Sequence, residues 1–370
     1  MPSFFETILA QGKKLFSGKS SGGTLGIDIG SSSVKVVQVK DEKGSIVLET
    51  YGELALGPYA NEPVGKITHL DPEQVGTAIK DLLKQSNATA TRAFFSLQSQ
   101  SSLIFVLSLP EMSESELAQV IPNEARKFIP VPLSEVSLDW FVIPRKQTYA
   151  EEAQSGERKK IEILVVAVRN ETLEFYQSIM KASELEVAGF EIEMFSIIRA
   201  VFNREITPVM VVDVGASSAR IAIVEYGVIR MFHVVNRGAA FLTDTLSRSS
   251  GIPFEKAEDL KREIGIGNTG EHREQSVQLQ TSISIIVSEM RSVLSQYERA
   301  ENKSVSKVIL VGGGSMIPGF REMVAQEFQV DTVMGDPFGK TQAPEFLRPV
   351  LLDAGPEFAT SVGLALKELV

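Results

Sequence analysis

Residues 25–35 read LGIDIGSSSVK, and residues 210–220 read MVVDVGASSAR. Aligned on Asp28 and Asp213, each copy gives an aliphatic run, the aspartate, a hydrophobic residue, a glycine (Gly30, Gly215) and three small residues. A base follows (Lys35, Arg220) inside a second aliphatic run. Self-similarity at a fixed offset marks a duplicated unit. The chain is therefore read as two related lobes, each opening on a strand, a tight turn and a second strand.

The chemistry of that turn suits an anion. A glycine at its start leaves no Cβ to obstruct a phosphate. Serine hydroxyls and successive backbone N–H groups form an anion nest. One copy alone would be an ordinary Gly-Ser hairpin; two copies in register imply two walls of one cleft. Gly30, Ser31, Ser32, Ser33 and Lys35 would hold phosphate from the first wall. Gly215, Ala216, Ser217 and Ser218 would hold it from the second, with Arg220 adding charge. Asp28 and Asp213, at the strand ends, would bind a hydrated Mg²⁺ through water. A third element, VILVGGGSMIPG at 308–319, delivers Gly312, Gly313 and Gly314 from a buried strand. Glycines there let backbone approach a flat ring, so this is the expected adenosine loop.

Alternating short apolar runs and amphipathic stretches around these motifs give an α/β class. Strands are expected at 25–29, 34–39, 46–54, 92–97, 103–108, 136–143, 161–168 and 187–193, and again at 209–214, 220–224, 228–234 and 308–311. Helices are expected at 71–85, 113–128 (opened by the capping box Ser113/Glu116 and kinked at Pro122), 173–182, 195–202, 240–249, 254–264, about 275–300, after Pro318, and at 357–369. The charged stretch 151–160 reads as a solvated hairpin loop. Residues 4–16 place Phe4, Phe5, Ile8, Leu9, Leu15 and Phe16 at helical spacing. That helix either meets a membrane surface or partner, or packs on its own domain. Ser17 to Gly23 is a linker by composition.

Two look-alike motifs fail their context. GIGNTG at 265–270 matches a dinucleotide fingerprint but follows a charged helix instead of a strand. GDPFGKT at 335–341 is one residue short of a phosphate loop, and the Gln342-Ala343-Pro344 that follows cannot open a helix. Both are expected to be surface loops.

Composition narrows the classes further. The chain has 370 residues and no cysteine, which excludes disulfide, thiolate-zinc, iron–sulfur and Cys-nucleophile chemistry. Three histidines argue against a multi-His metal site, and a net charge of −10 argues against a nucleic-acid partner. No apolar run approaches the roughly 18 residues that span a bilayer, and the first residues lack a secretory pattern. A cytoplasmic location is the expectation.

At the two turns and the glycine loop, the sequence resembles the actin-like ATPase superfamily. It is more closely similar to the type IV pilus assembly family PilM, relatives of the division protein FtsA. LGIDIGSSSVKVVQV (25–39), ELAQVIPNEARKFIPVPLSEV (116–136), VVDVGASSARIAIV (211–224), AEDLK (257–261), VGGGSMIPGF (311–320) and TSVGLAL (360–366) carry that resemblance. It implies a two-lobed actin-like ATPase fold of duplicated RNase H-like subdomains with an FtsA/PilM-type 1C insertion. The implied division is 1–23 N-terminal helix and linker, 24–87 subdomain 1A, and 88–160 inserted 1C. Then come 161–204, the rest of 1A with a connecting helix; 205–352, subdomains 2A and 2B; and 353–370, a helix returning to lobe one.

The resemblance further implies ATP with Mg²⁺ between the lobes. Met316 would border the base beside Gly312–Gly314, and Glu258 and Lys261, one helical turn apart, would face the ribose or base edge. Glu124 is assigned to packing or partner binding, and no catalytic base stands out, so turnover would be weak. The implied role is a scaffold at the cytoplasmic face of the inner membrane that docks the tail of a PilN-type membrane protein near 1A and 1C. Contacts with other pilus platform or motor proteins, self-association, and membrane association through residues 1–19 are compatible with it. An FtsA-like membrane-tethered filament protein is the alternative, and a sugar kinase on the same fold lacks an acceptor site.

Overall fold

A computed structural model of the chain describes residues 23–143, 160–203, 205–267 and 269–370. The expected N-terminal helix and the loop at 151–160, apart from Lys160, lie outside these residues. In the first lobe, β1 (Thr24–Ile29), β2 (Ser33–Glu42) and β3 (Ser45–Ala55) form an antiparallel meander. Helix α1 (Pro72–Gln85) follows. Its Asp71/Gln74 capping box sets the start, and Val75, Ala78, Ile79 and Leu82 form its buried face. It leads to β4 (Arg92–Leu97), parallel to β1.

The chain then leaves this sheet. β5 (Ser102–Pro110), α2 (Glu114–Ala125), β6 (Val136–Val142) and β7 (Lys160–Arg169) build a separate three-stranded sheet of order β5-β7-β6. Leu117, Ile121 and Ala125 of α2 pack on Leu107, Ile163 and Val165. The helix runs through Pro122 and stops at Ala125, one turn earlier than expected. Helix α3 (Asn170–Ser183) and β8 (Glu186–Ile192) return to the first lobe, where β8 pairs parallel with β4. Helix α4 (Glu193–Val201) leads out of it.

The second lobe repeats the plan. β9 (Val209–Val214), β10 (Ala219–Glu225) and β11 (Val228–Val235) are an antiparallel meander. Helices α5 (Ala239–Ser250), α6 (Phe254–Ile264) and α7 (Arg273–Glu301) come next. β12 (Lys307–Val311), α8 (Phe320–Phe328) and β13 (Asp331–Met334) complete the lobe. The sheet orders are β3-β2-β1-β4-β8 and β11-β10-β9-β12-β13, strand for strand the same. Short α9 (Arg348–Ala354) and α10 (Ala359–Ala365) end the chain.

What joins the lobes is a shared core. Met194 and Ile197 of α4 and Val362 and Ala365 of α10 lie among Val37 and Val39 of one sheet and Val209, Val211 and Ile309 of the other. Each of these side chains except that of Ala365 stabilises by about 1.5–3 kcal/mol when fully buried. Helix α10 presses so closely that a Cβ on Gly26 would overlap the Ser361 carbonyl, and one on Gly363 would overlap that of Ser196.

Four expectations need correcting. Residues 92–97, placed in the 1C insertion, pair with β1 in the first sheet, and β7, placed outside it, is the central strand of the inserted sheet. Strand membership follows from long-range hydrogen bonding, which local pattern does not encode. The 335–341 stretch is no surface loop: Phe338 is buried against Tyr51 and Phe358, and the Lys340 ammonium donates to the carbonyls of Arg199 and Phe202. The final helix is shorter than 357–369 and sits between both sheets instead of on lobe one alone, with a 3-10 turn at Gly355–Phe358 before it. The helix expected after Pro318 is present, starting at Phe320 with Gly319 as its cap.

Because the α10 contacts meet backbone and not a movable side chain, Gly26→Ala and Gly363→Ala should each destabilise the protein by about 3 kcal/mol. A lower urea midpoint with an unchanged slope is the expected reading.

Candidate functional site

The two turns are built identically. Gly30 N–H donates to the Ser33 carbonyl at 3.0 Å, and Gly215 N–H to that of Ser218 at 2.9 Å. Asp28 lies opposite Lys35 across the first hairpin, and Asp213 opposite Arg220 across the second. Segment 56–68 is tied to the first turn: Leu56 N–H donates to the Ser32 carbonyl, and Thr68 N–H to that of Ser31, both at 2.9 Å. After β12 the backbone turns at Gly312, whose φ of +81° suits glycine, and a Cβ there would overlap the Asp213 carboxylate.

These elements enclose one cavity between the lobes, of about 280 Å³. That is at the small end for ligand sites, so it suits a single ligand touching both walls. Every residue assigned to the nucleotide site from the sequence borders it. Asp28, Gly30, Ser31, Ser32, Ser33 and Lys35 form one wall, and Asp213, Gly215, Ala216, Ser217 and Ser218 the other. Gly312, Gly313, Gly314 and Met316 close one end, and Glu258 and Lys261 line it from α6. Glu124 lies elsewhere, paired at 2.6 Å with Lys127 on the inserted module.

Most of the site's charges are already paired. Lys35 binds Glu53 at 2.7 Å and donates to Ser33 Oγ at 2.9 Å. Arg220 pairs with Glu193, and with Asp213 at 2.8 Å. Glu258 pairs with Lys261 at 2.6 Å and Arg262 at 2.8 Å, and accepts from Thr243 Oγ1 at 2.6 Å. The Glu258–Lys261 pair is thus an i,i+3 bridge, but a buried one. Burial would raise the Glu258 carboxyl, and these partners hold it below its ordinary range.

Among the described residues, no ion pair engages Asp28 or Glu357. Burial, then the charge of Glu193, pushes Asp28 up to about 6, although it accepts from Ser96 Oγ at 2.8 Å. Burial and Glu53 raise Glu357. Burial also raises Asp213, with Arg220 opposing.

No group of three or more His, Cys, Asp or Glu among the described residues could hold a metal. The carboxylates present fit a hydrated magnesium held through water, which keeps most of its shell, better than a dry protein cage. Residues missed from the sequence also line the cavity: Glu53, Gln98, Glu193, Arg262 and Glu357. Glu193 had one legible signal. It is one of two acids, with Glu191, in the apolar run GFEIEMF, where buried charge needs a partner.

The sequence model of the family described as type IV pilus assembly protein PilM matches residues 26–369. Among solved structures, the chain is similar to a PilM-PilN type IV pilus biogenesis complex, with a TM-score of 0.79 and 21% identity over 94% of this chain and 99% of that one. It is similar to the ethanolamine utilization protein EutJ from Carboxydothermus hydrogenoformans, with a TM-score of 0.54, 15% identity, and coverage of 98% and 96%. MreB5 of Spiroplasma citri bound to AMPPNP gives 0.50, 12%, and coverage of 95% and 97%. At these identities the likeness is one of fold, and the fold is the two-lobed actin-like one.

The raised Asp28 carboxyl has a signed consequence. A folded value near 6 against 3.8 unfolded means that stability from this group falls as pH rises between them, with the full penalty above pH 6. Asp28→Asn should therefore stabilise the ligand-free protein by about 1–3 kcal/mol at pH 7 and leave it unchanged near pH 4. Urea unfolding at the two pH values measures this.

Proposed function

The chain belongs to the PilM family of type IV pilus assembly proteins, and from that premise we propose that it is a pilus assembly scaffold loaded with ATP and Mg²⁺ that docks the tail of a PilN-type membrane protein. The observation that supports nucleotide loading is the pair of identical turns facing one cavity, with a glycine loop at its end. In this reading the turns 30–33 and 215–218, with Lys35, hold the phosphates, and Gly312–Gly314 and Met316 take the adenosine. Glu258 and Lys261 lie at the ribose or base edge. Asp28 and Asp213 border the place for hydrated magnesium, which supplies charge neutralisation at the phosphates.

A partner surface lies on the inserted module. Trp140, Phe141, Leu164 and Val166 of its sheet, with Phe195, Val228 and Ile229, line an apolar groove. Phe141 is 55% exposed, and β6 is an edge strand. An extended peptide with apolar side chains can add to such an edge. The first turn of α4 touches both places: Glu193 lines the cavity and Phe195, two residues on, lines the groove. A nucleotide that favours one lobe arrangement thereby biases the groove. No helix among the described residues is long and apolar enough to cross a membrane; in this reading the partner supplies attachment at the inner membrane's cytoplasmic face. The division-protein alternative is not favoured, since the family matched is PilM.

Two substitutions test the two halves. At Gly313 a Cβ would meet only Glu357 Oε2 at 3.3 Å and φ is not positive, so a side chain enters the cavity without straining the backbone. Gly313→Leu should weaken ATP binding, measured calorimetrically, at least about tenfold (1.4 kcal/mol) with little change in Tm. Phe141→Glu should weaken binding of a PilN-type tail peptide by at least about the same factor and leave ATP binding intact. Sugar-dependent ADP release without peptide binding would contradict the scaffold reading.

A further inference from the structure

The duplicated motif makes Asp28 and Asp213 look equivalent, and the structure treats them differently. Arg220 reaches from β10 to the cavity floor, where one guanidinium nitrogen donates to Glu193 and the other to Asp213 at 2.8 Å. Its side chain is 11% exposed, and its two acids are more buried still. Glu193 opens α4 at the end of the first lobe's sheet, and Asp213 belongs to β9 of the second, so one side chain ties the lobes together. The same Glu193 oxygen accepts from Ser99 N–H at 3.0 Å and from its hydroxyl at 3.1 Å. The guanidinium also lies where a side chain on residue 215 would stand: a Cβ on Gly215 would come within 2.7 Å of Nη2.

The corresponding base of the first lobe does something else. Lys35 turns to Glu53 and Ser33, and makes no ion pair with Asp28, whose hydrogen-bond partner is the neutral hydroxyl of Ser96. A cation beside Asp213 must share it with a fixed positive charge, and displacing Arg220 would leave two buried carboxylates uncompensated. A cation beside Asp28 breaks no ion pair, although the charges of Lys35 and Arg220 reach that carboxylate from further off.

We propose that the two halves of the site have divided their labour: Asp28 holds the water shell of the divalent cation, while Asp213 is committed with Glu193 to Arg220 as a tie between the lobes. Arg220 is thus a positioning residue, acting through the carboxylates that it holds. This rests on the nucleotide reading above and refines its metal site.

The test compares affinity for ATP, by titration calorimetry, in magnesium and in EDTA for the wild type, Asp28→Asn and Asp213→Asn. Both variants are isosteric and keep an oxygen for Ser96 or Arg220. Magnesium should strengthen binding at least about fivefold in the wild type and in Asp213→Asn, and less than twofold in Asp28→Asn. Loss of the magnesium effect in Asp213→Asn, with retention in Asp28→Asn, overturns the proposal. Equal loss in both also overturns it, restoring a symmetric site. A wild type that binds no ATP in either buffer removes the nucleotide reading itself, and this refinement with it.

A measurement without nucleotide is independent of that reading. Arg220→Gln frees Asp213 and Glu193, so magnesium alone should raise its Tm by several degrees more than it raises that of the wild type. Equal shifts contradict a committed Asp213. Arg220→Lys, which keeps the charge, should return the wild-type response.

Discussion

A buried guanidinium between carboxylates of two lobes is the constraint around which the cleft is organised. Charges at this depth are costly unless matched, and Arg220 matches Glu193 from one lobe and Asp213 from the other. The tie adjoins the shared core of α4 and α10, since Met194, the residue after Glu193, belongs to that core, so ionic and apolar contacts join the lobes at neighbouring residues. Together they set the distance between the turns at Gly30 and Gly215, and with it the size of ligand that can touch both.

Around that junction the molecule reads as two copies of one sheet with an added module. The module enters between β4 and α3, on the first lobe only, and this breaks the symmetry of the surface while leaving the cleft symmetric in backbone. Within the cleft, side chains break it again, because Lys35 and Arg220 hold different acids. Helix α4 connects the two asymmetries. Its Glu193 faces the cavity and its Phe195 the apolar groove, one turn of helix serving both the nucleotide and the partner in the scaffold reading.

Much of this was legible in the sequence because its signals are local. The aspartate, glycine and small residues at 28–33 and 213–218 specify a strand end and a turn with little help from elsewhere, and the capping residues at 71–74 and 113–116 open the helices where expected. What could not be read depends on distant partners. The pairing of β4 with β1 is a matter of sheet hydrogen bonds between remote segments. Phe338 is buried only because Tyr51 and Phe358 arrive from other parts of the chain. Glu193 passed as the end of a strand, since its partner Arg220 lies 27 residues on, in the other lobe. For the same reason Asp28 and Asp213 cannot be told apart from their motifs.

The central claim is that one ligand is gripped by both turns at once. Hydrogen exchange at the backbone amides of residues 30–33 and 215–218, followed with and without ATP, addresses it most directly. Slowed exchange in both segments over the same range of ATP concentration is the predicted result. Protection of one turn alone, or of neither, would contradict a site built from the two walls of a single cleft.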